Sequence, residues 1–409
     1  MNTSRWRVGP LVVGLAVAAC APRAESATES AAGAGESEYE WPGREWAVST
    51  PEAEGIDPTA VDALVADIEK GDYGLIDHFL LTRHGRVVAD RHFDHDYDSI
   101  SAAYEPVDHQ YDYDHPAWHP LYRDTHLHTL QSVTKSVTSA ALGIAIDEGL
   151  IAGVDVPVWP FLAAYSPDMS DPRRGATTLE DFLTMRSGIE WAVPGATYDD
   201  DSHPTIIMEN GDEWIRYVVD RPLATDPGTR FDYNDGVSVL IGKILREATG
   251  QRVDEWARER LFEPIGIEEF YWKTTPDGEV DTEGGLYLST HDLARIGYLF
   301  LRGGEWVGKR IVSSEWVTAA TTPVVPDVAP DNDRQDAGYG YQWWVPDQEG
   351  GRALVFAGNG YGGQFVLVAP EYDIVCVFNG WNIHGGASRS SYRALQERIL
   401  PATSTEEDR

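Results

Sequence analysis

Alternation of apolar and polar residues, the pattern of strands with one buried face, marks two separate parts of the chain. Residues 79–82 and 86–91 form such a pair around the turn His84-Gly85. Further strand-like segments follow in the last fifth of the chain: 341–345, 353–357, 364–368 and 374–378. Because hairpin turns separate several of these segments, the pattern predicts an antiparallel sheet built from both ends of the chain.

Helical periodicity dominates the region between those two parts. The predicted helices there are 179–185, 212–219, 237–248, 253–261 and 291–301. Thr177 and Glu180 are expected to form a capping box at the start of the first. Helices at 58–70 and 391–400 are expected to cover the sheet. The predicted fold class is α/β (α+β): an antiparallel sheet flanked by helices, with a mostly helical lobe inserted at about residues 129–285. The site is expected in the cleft between the two parts.

Ser132 and Lys135 stand one helical turn apart at the start of an apolar helix that runs to Gly149. Residues at this spacing share a helix face, so the amine reaches the hydroxyl. Only five lysines occur in the chain, and no other has a serine three residues before it. If burial keeps Lys135 neutral, its amine can take the proton of a nucleophilic Ser132.

Four further motifs accompany this pair in a fixed order. They are 183–191 (LTMRSGIEW), 227–235 (PGTRFDYND), 284–294 (GGLYLSTHDLA) and 360–364 (GYGGQ). With the Ser132–Lys135 pair, they resemble the serine beta-lactamase and penicillin-binding protein superfamily, in particular its class C-like esterases and 6-aminohexanoate-dimer hydrolases. The resemblance covers roughly residues 50–400 and implies one catalytic domain at 44–405.

The resemblance implies a second catalytic element of the form Tyr-x-Asn. Tyr233 occupies its first position and is expected to act with Lys135 as general acid and base. Asp235 stands where the family has asparagine, and an ionised carboxylate cannot donate a hydrogen bond as an amide can. Asp235 is therefore expected only as a residue lining the site.

The third family element, Lys-Thr-Gly or His-Thr-Gly, falls on residues 358–360 (GNG), and its cation is missing. A beta-lactam carboxylate would lack that electrostatic partner, which argues against a penicillinase. By the same matching, the backbone N–H groups of Ser132 and Tyr361 would form the oxyanion hole. Gly360 and Gly362 would let substrate approach the strand closely. The alternative is a glycine-rich hairpin turn without a catalytic role.

Trp191 follows the 187–189 motif, and we consider it either a core residue or a substrate contact in the site wall.

Residues 92–128 form a link longer than the family usually has, rich in His, Asp and Tyr. Imidazole and carboxylate groups are suited to metal binding. Because no spacing there is specific for a metal, the favoured interpretation is a polar lid that shapes the cleft. No metal and no cofactor are expected.

The first twenty residues have the order of a bacterial lipoprotein signal: Arg5 and Arg7, an apolar run over 11–19, and then Cys20. The run is too short to span a bilayer, so 1–19 is predicted to be a signal peptide. Lipidation of Cys20 is expected, followed by a flexible tether at 20–43. A non-lipidated export signal is the alternative. The expected location is a bacterial outer membrane, facing the periplasm or the cell surface.

The formal net charge of −35 excludes nucleic acid as a partner and leaves the lipid on Cys20 as the expected contact with a membrane. Cys376, the second of two cysteines, lies in an apolar strand and is expected to be a small buried residue.

The sequence therefore predicts a lipid-anchored serine hydrolase that cleaves a small-molecule ester or amide through an acyl-enzyme on Ser132. Two alternatives remain open. One is a D-amino-acid peptidase or class C-like beta-lactamase. The other is a penicillin-binding or sensor lipoprotein that is acylated without turnover.

Overall fold

A computed structural model describes residues 39–102, 125–193, 198, 200–328, 337–346, 354–383 and 387–405. The predicted signal peptide, Cys20 and most of the tether lie outside these residues, as do His109, His115 and His119. The predictions about them stay predictions. Among the described residues, no helix is both long enough and apolar enough to cross a membrane.

Strands from both ends of the chain form one eight-stranded sheet, as the alternation predicts. The strands of this sheet are β1 (Ala47–Val48), β2 (Ile76–Arg83), β3 (Arg86–His92), β9 (Ala337–Tyr339), β10 (Trp344–Pro346), β11 (Phe356–Gly360), β12 (Gln364–Ala369) and β13 (Ile374–Gly380). Their order in the sheet is β1-β3-β2-β13-β12-β11-β10-β9, and β1 and β3 are its only parallel neighbours among the described strands. Two small antiparallel sheets hold the rest: β4 (His128–Thr129), β5 (Tyr271–Trp272) and β6 (Leu286–Leu288) in one, β7 (Glu305–Trp306) and β8 (Lys309–Arg310) in the other.

The helices lie where the 3.6-residue period predicts most of them. They are α1 (Pro58–Glu69), α2 (Tyr97–Ser101), α3 (Val133–Asp147), α4 (Leu179–Leu183), α5 (Pro204–Glu209), α6 (Trp214–Val219), α7 (Asp235–Thr249), α8 (Val253–Ala257), α9 (Thr290–Leu301), α10 (Ser314–Thr321) and α11 (Ser391–Ala394). Gly250 ends α7 in the left-handed conformation at φ 70°, which glycine adopts without strain.

Several boundaries differ from the predictions for local reasons. The capping box of α4 is formed by Thr178 and Asp181, one residue later than predicted. The predicted helix 253–261 changes after α8 to a π-helical turn, Arg258–Phe262. Gln342, inside the predicted strand 341–345, has φ 65°, so extended structure begins only at β10.

Two apolar cores lie against the large sheet. The larger one contains most of the apolar side chains of α3, α7 and α9, and the smaller one lies under α1 and the C-terminal helical turns. Helix α3 packs against both β11 and α7. This arrangement fixes the start of α3, which carries Ser132, between the sheet and the helical region. Cys376 is fully buried, as predicted.

Candidate active site

Ser132 immediately precedes α3, and the chain before it is held in an uncommon conformation. Gln131 has φ 46°, a left-handed value that costs energy in a residue with a Cβ atom. Its side chain is buried and donates a hydrogen bond to Oγ1 of Thr129. The tight turn places Ser132 at the helix N-terminus, where its hydroxyl remains partly accessible.

Lys135 lies one turn further on, and its Nζ atom donates a hydrogen bond to Oγ of Ser132 over 2.9 Å. The same Nζ atom lies 2.7 Å from Oδ1 of Asp235 and 2.7 Å from the backbone oxygen of Glu283. Oε2 of Glu283 is 3.3 Å away. Four oxygen atoms therefore lie within 3.3 Å of Nζ, which is enough to accept all three protons of an ammonium group.

Lys135 is not in the neutral form that direct transfer of the Ser132 proton to its amine would require. Burial favours the neutral amine, but Asp235, Tyr233 and Glu283 raise the pKa of Lys135 well above its ordinary value. Lys135 is thus an ammonium ion in the resting protein, so the condition for direct proton transfer to a neutral lysine is not met. Lys135 stays charged because carboxylates are buried beside it, and the apolar sequence around Lys135 does not reveal them.

Asp235 is more than a residue lining the site, because it is the counter-ion of Lys135. It opens α7, and Asn234 caps that helix by accepting a hydrogen bond from the N–H of Val237. Oδ2 of Asp235 accepts hydrogen bonds from Thr205 and from Tyr198, over 2.6 Å and 2.9 Å. Burial opposes its ionisation, but the Lys135 ammonium and these donors hold the pKa of Asp235 below its ordinary value.

Tyr233 comes two residues before Asp235 and reaches the same point. The Ser132 side chain acts to lower the pKa of the Tyr233 phenol, and the ring centroid of Tyr233 lies 5.2 Å from Nζ of Lys135. The ring stacks on Trp344 with centroids 5.7 Å apart. Burial raises the pKa of Tyr233 even though the Lys135 ammonium opposes that shift, so the phenol is neutral.

Behind Lys135 lies a buried carboxyl cluster that the sequence interpretation missed. It consists of Glu209, Asp281 and Glu283. Glu209 and Glu283 are hydrogen-bonded to each other, and burial next to other carboxyl groups raises the pKa of Glu209 well above its ordinary value. Burial also raises the pKa of Glu283, to about 7, against the opposing effect of Lys135. Glu209 therefore carries the proton of the pair, and Glu283 titrates near neutral pH.

The end of β11 lies directly against the chain that leads into Ser132. A Cβ atom on Gly360 would come within 2.3 Å of the backbone oxygen of Leu130. One on Gly358 would come within 2.8 Å of Val133. Gly362 has φ 83° in the turn after the strand. Gly358 and Gly360 thus allow close packing against the chain around Ser132, and Gly362 allows the turn.

Tyr361 follows this strand, and its ring centroid lies 5.8 Å from that of Tyr198. Its backbone role in an oxyanion hole stays a prediction.

Trp191 is 1% exposed and makes an edge contact with Tyr217. A Cβ atom on Gly236 would strike its ring. The Trp191 ring thus fills the space that Gly236 leaves under α7. Trp191 is accordingly a core residue and does not form a wall of the site.

Comparison with known proteins places this arrangement in a family. The family model described as Beta-lactamase matches residues 75–395. The chain belongs to the beta-lactamase family. The family resemblance inferred from the motifs is confirmed, and so is the mixed fold with a mostly antiparallel sheet.

Named relatives in this family are hydrolases. The 6-aminohexanoate-dimer hydrolase of Paenarthrobacter ureafaciens is 27% identical over 263 residues, covering 61% of this chain and 65% of the relative. Esterase EstB of Burkholderia gladioli is 29% identical over 167 residues, covering 38% of this chain and 41% of EstB. The chain thus spans less than two thirds of the length of each. A solved structure, the putative 6-aminohexanoate-dimer hydrolase of Bacillus anthracis, has the same fold, with a TM-score of 0.62, 22% identity and coverage of 78% of this chain and 77% of that one.

Proposed function

We propose that this beta-lactamase-family hydrolase cleaves an ester or amide through a covalent acyl-enzyme on Ser132. The observation that carries the proposal is the convergence of Lys135 and Tyr233 on the Ser132 hydroxyl, with Nζ of Lys135 2.9 Å from Oγ. A serine hydroxyl is a weak nucleophile unless an adjacent group takes its proton. The relatives, by name a 6-aminohexanoate-dimer hydrolase and an esterase, support the same class of reaction.

Because Lys135 is already charged, it must release a proton before it can accept one from Ser132. The proposed proton route therefore runs through the lysine to a further base. Nζ first releases one of its protons to the Glu283 carboxylate 3.3 Å away, and it then takes the proton of Ser132 as Oγ bonds to the acyl carbon. A base with a pKa of about 7 is well matched to this task at neutral pH. Tyr233 then protonates the leaving group and regains a proton from Lys135, which recovers one from Glu283.

Charge on the acyl oxygen is expected to be stabilised by the backbone N–H groups of Ser132 and Tyr361. Support comes from the close packing of Gly360 on Leu130, which brings the segment before Tyr361 next to the segment before Ser132. Such preorganised donors stabilise the transition state without reorganising during the reaction.

The substrate proposed here is uncharged near the scissile bond. Residues 358–360 offer no cation, and the buried groups around Lys135 include the carboxyl groups of Asp235, Glu283 and Glu209. A substrate carboxylate would lack a charge-assisted hydrogen bond that is worth about 1.5–3 kcal/mol, or roughly tenfold to a hundredfold in binding. Uncharged esters and amides should therefore be hydrolysed much faster than penicillins or cephalosporins.

The test compares Ser132→Ala with the matched control Ser136→Ala, a buried serine one turn further along α3 whose hydroxyl donates to the backbone oxygen of Gln342. Each protein is treated with a fluorophosphonate probe and assayed on p-nitrophenyl butyrate, the linear 6-aminohexanoate dimer and nitrocefin. We expect labelling and turnover to vanish in Ser132→Ala and to persist in Ser136→Ala.

Three results would contradict the proposal. Labelling retained in Ser132→Ala would exclude that residue as the nucleophile. Nitrocefin hydrolysis by the wild type at the rate of its best ester would favour the beta-lactamase alternative. Stoichiometric acylation without turnover would favour the penicillin-binding or sensor alternative.

A further inference from the structure

A second group of reactive side chains lies on the edge region of the large sheet, and none of them takes part in the proposed reaction. It consists of His78 on β2 and Asp90 and His92 on β3. Their ligand atoms all lie within 4.8 Å of one another. Nε2 of His78 is 2.6 Å from Oδ1 of Asp90, and Nε2 of His92 is 3.8 Å from the same oxygen.

The strand register explains why these three side chains meet. His78 and His92 are directly opposed partners in the antiparallel pair β2–β3. Side chains alternate between the faces of a strand, so Asp90, two residues before His92, shares its face. Opposed and diagonal neighbours on one face lie close enough to interact. The two imidazole rings are accordingly 3.6 Å apart between centroids.

His291, near the start of α9, completes the group from the helical side. Its Nε2 atom lies 3.1 Å from Oδ2 of Asp90, the oxygen that His78 does not contact. The carboxylate of Asp90 is therefore held between two strands and a helix. A ligand carboxylate that a further side chain orients in this way is a recurrent feature of protein metal sites.

We propose that His78, Asp90 and His92 bind a divalent transition-metal ion, with Zn²⁺ the best match, and that His291 orients the Asp90 carboxylate. Imidazole and carboxylate are ordinary ligands of this ion. Bond lengths of about 2.0–2.1 Å place tetrahedral ligand atoms roughly 3.3 Å apart. The contacts of 2.6 Å and 3.8 Å lie on either side of that spacing, so metal binding would require side-chain rotations that equalise them.

Three protein ligands would leave one position of the ion open. A cavity of about 310 Å³ adjoins the group and is lined in part by His126 and His128. His128 is already engaged, because its Nε2 atom lies 2.8 Å from Oδ2 of Asp77. His126 is largely exposed and its Nε2 atom lies 3.6 Å from Glu269. The open position would therefore face a polar cavity with room for water or a small anion.

The experiment uses untagged full-length protein that has been stripped with a chelator and titrated with ZnCl₂ by isothermal titration calorimetry. We expect one saturable site in the wild type and a rise in melting temperature with added Zn²⁺, because an ion that binds the folded state stabilises it. His92→Ala should weaken binding by about 100-fold or more. His291→Ala should weaken it by about 10-fold to 100-fold, as loss of an orienting partner does.

His92 is the preferred ligand variant because its side chain is 71% exposed, so its replacement leaves the core intact. The matched control is His126→Ala, a comparably exposed histidine that lines the same cavity but lies outside the ligand set. The control should bind Zn²⁺ as the wild type does, and circular dichroism should show all variants folded. Absence of a saturable site in the wild type, unchanged affinity in His92→Ala, or loss of binding in His126→Ala would each overturn the proposal.

Discussion

Nζ of Lys135 and Oδ1 of Asp235 lie 2.7 Å apart, and both side chains are almost completely buried. The pair comes from two helices, α3 and α7, that pack against each other. Because the ammonium and the carboxylate stabilise each other's charged form, the pKa of Lys135 rises and that of Asp235 falls. Ser132, the proposed nucleophile, therefore contacts a charged lysine whose protonation depends on neighbouring carboxylates.

Asp235→Asn tests this counter-ion role and also introduces the residue that the family motif has at this position. The substitution leaves the buried ammonium with Glu283 as its remaining carboxylate partner. We expect the free energy of unfolding to fall by about 3 kcal/mol, since removal of one member of a buried ion pair leaves the other poorly compensated. We also expect the pKa of Lys135 to fall, which moves the alkaline limb of the pH–rate profile to lower pH.

Urea denaturation and the pH dependence of kcat/KM measure the two effects. Asp232→Asn is the control, because Asp232 forms a more exposed pair with Arg230. Such pairs contribute about 0–1 kcal/mol. A variant Asp235→Asn with wild-type stability and an unshifted alkaline limb would show that Asp235 does not act as the counter-ion.

The second prediction concerns the acid limb of activity. The pKa of Glu283 is raised from an ordinary 4.5 to about 7, and the proposed reaction needs its ionised form. Activity should therefore be present above pH 7 and decline as the pH falls through about 7. The same shift has the opposite sign for stability. The folded chain retains a proton that the unfolded chain releases above pH 4.5, so unfolding should become easier as the pH rises from about 4.5 to 7.

Two conservative substitutions separate the members of the carboxyl pair. Glu283→Gln should remove the acid limb and lower kcat by about 10²-fold to 10⁴-fold, the range of general-base contributions. Glu209→Gln should keep both the limb and most of the activity, because an amide still donates the hydrogen bond that protonated Glu209 donates to Glu283. The reverse pattern in pH–rate profiles would assign the titrating group to Glu209 instead.

The third prediction concerns β11, the strand that packs beside the proposed nucleophile Ser132. In Gly360→Ala the new methyl group would meet the Leu130 backbone oxygen at 2.3 Å, so β11 must move away from the segment before Ser132. We expect a stability loss of about 1–3 kcal/mol from overpacking. Misplacement of the proposed oxyanion donors should lower kcat/KM by about 100-fold.

Gly175→Ala is the control for that substitution, since a Cβ atom there meets nothing within 4 Å. Thermal unfolding and esterase assays on both variants measure the effects. Wild-type kcat/KM in a folded Gly360→Ala protein would contradict a catalytic role for the close approach.

Much of the fold was predictable because its signals are local. The hairpin β2–β3 follows from alternation around His84-Gly85, and α7 covers the helix predicted at 237–248. The pairing of Ser132 with Lys135 is equally local, since the geometry of one helical turn brings residues three apart together. The boundaries that differed, such as the capping box of α4, depended on which neighbouring polar side chain made the better hydrogen bond.

By itself, the sequence thus determined the family, the sheet and helices, and the pairing of Ser132 with Lys135 on which the proposed function rests. Tertiary structure alone decided what surrounds them. It placed Glu283 on Lys135 across 148 positions of sequence, made Asp235 its counter-ion and buried Trp191 under α7. It also brought His291 of a distant helix to the group of His78, Asp90 and His92. Charge states and ligand groups of this kind depend on distances between remote segments, and these distances are set by packing of the whole core rather than by any local period.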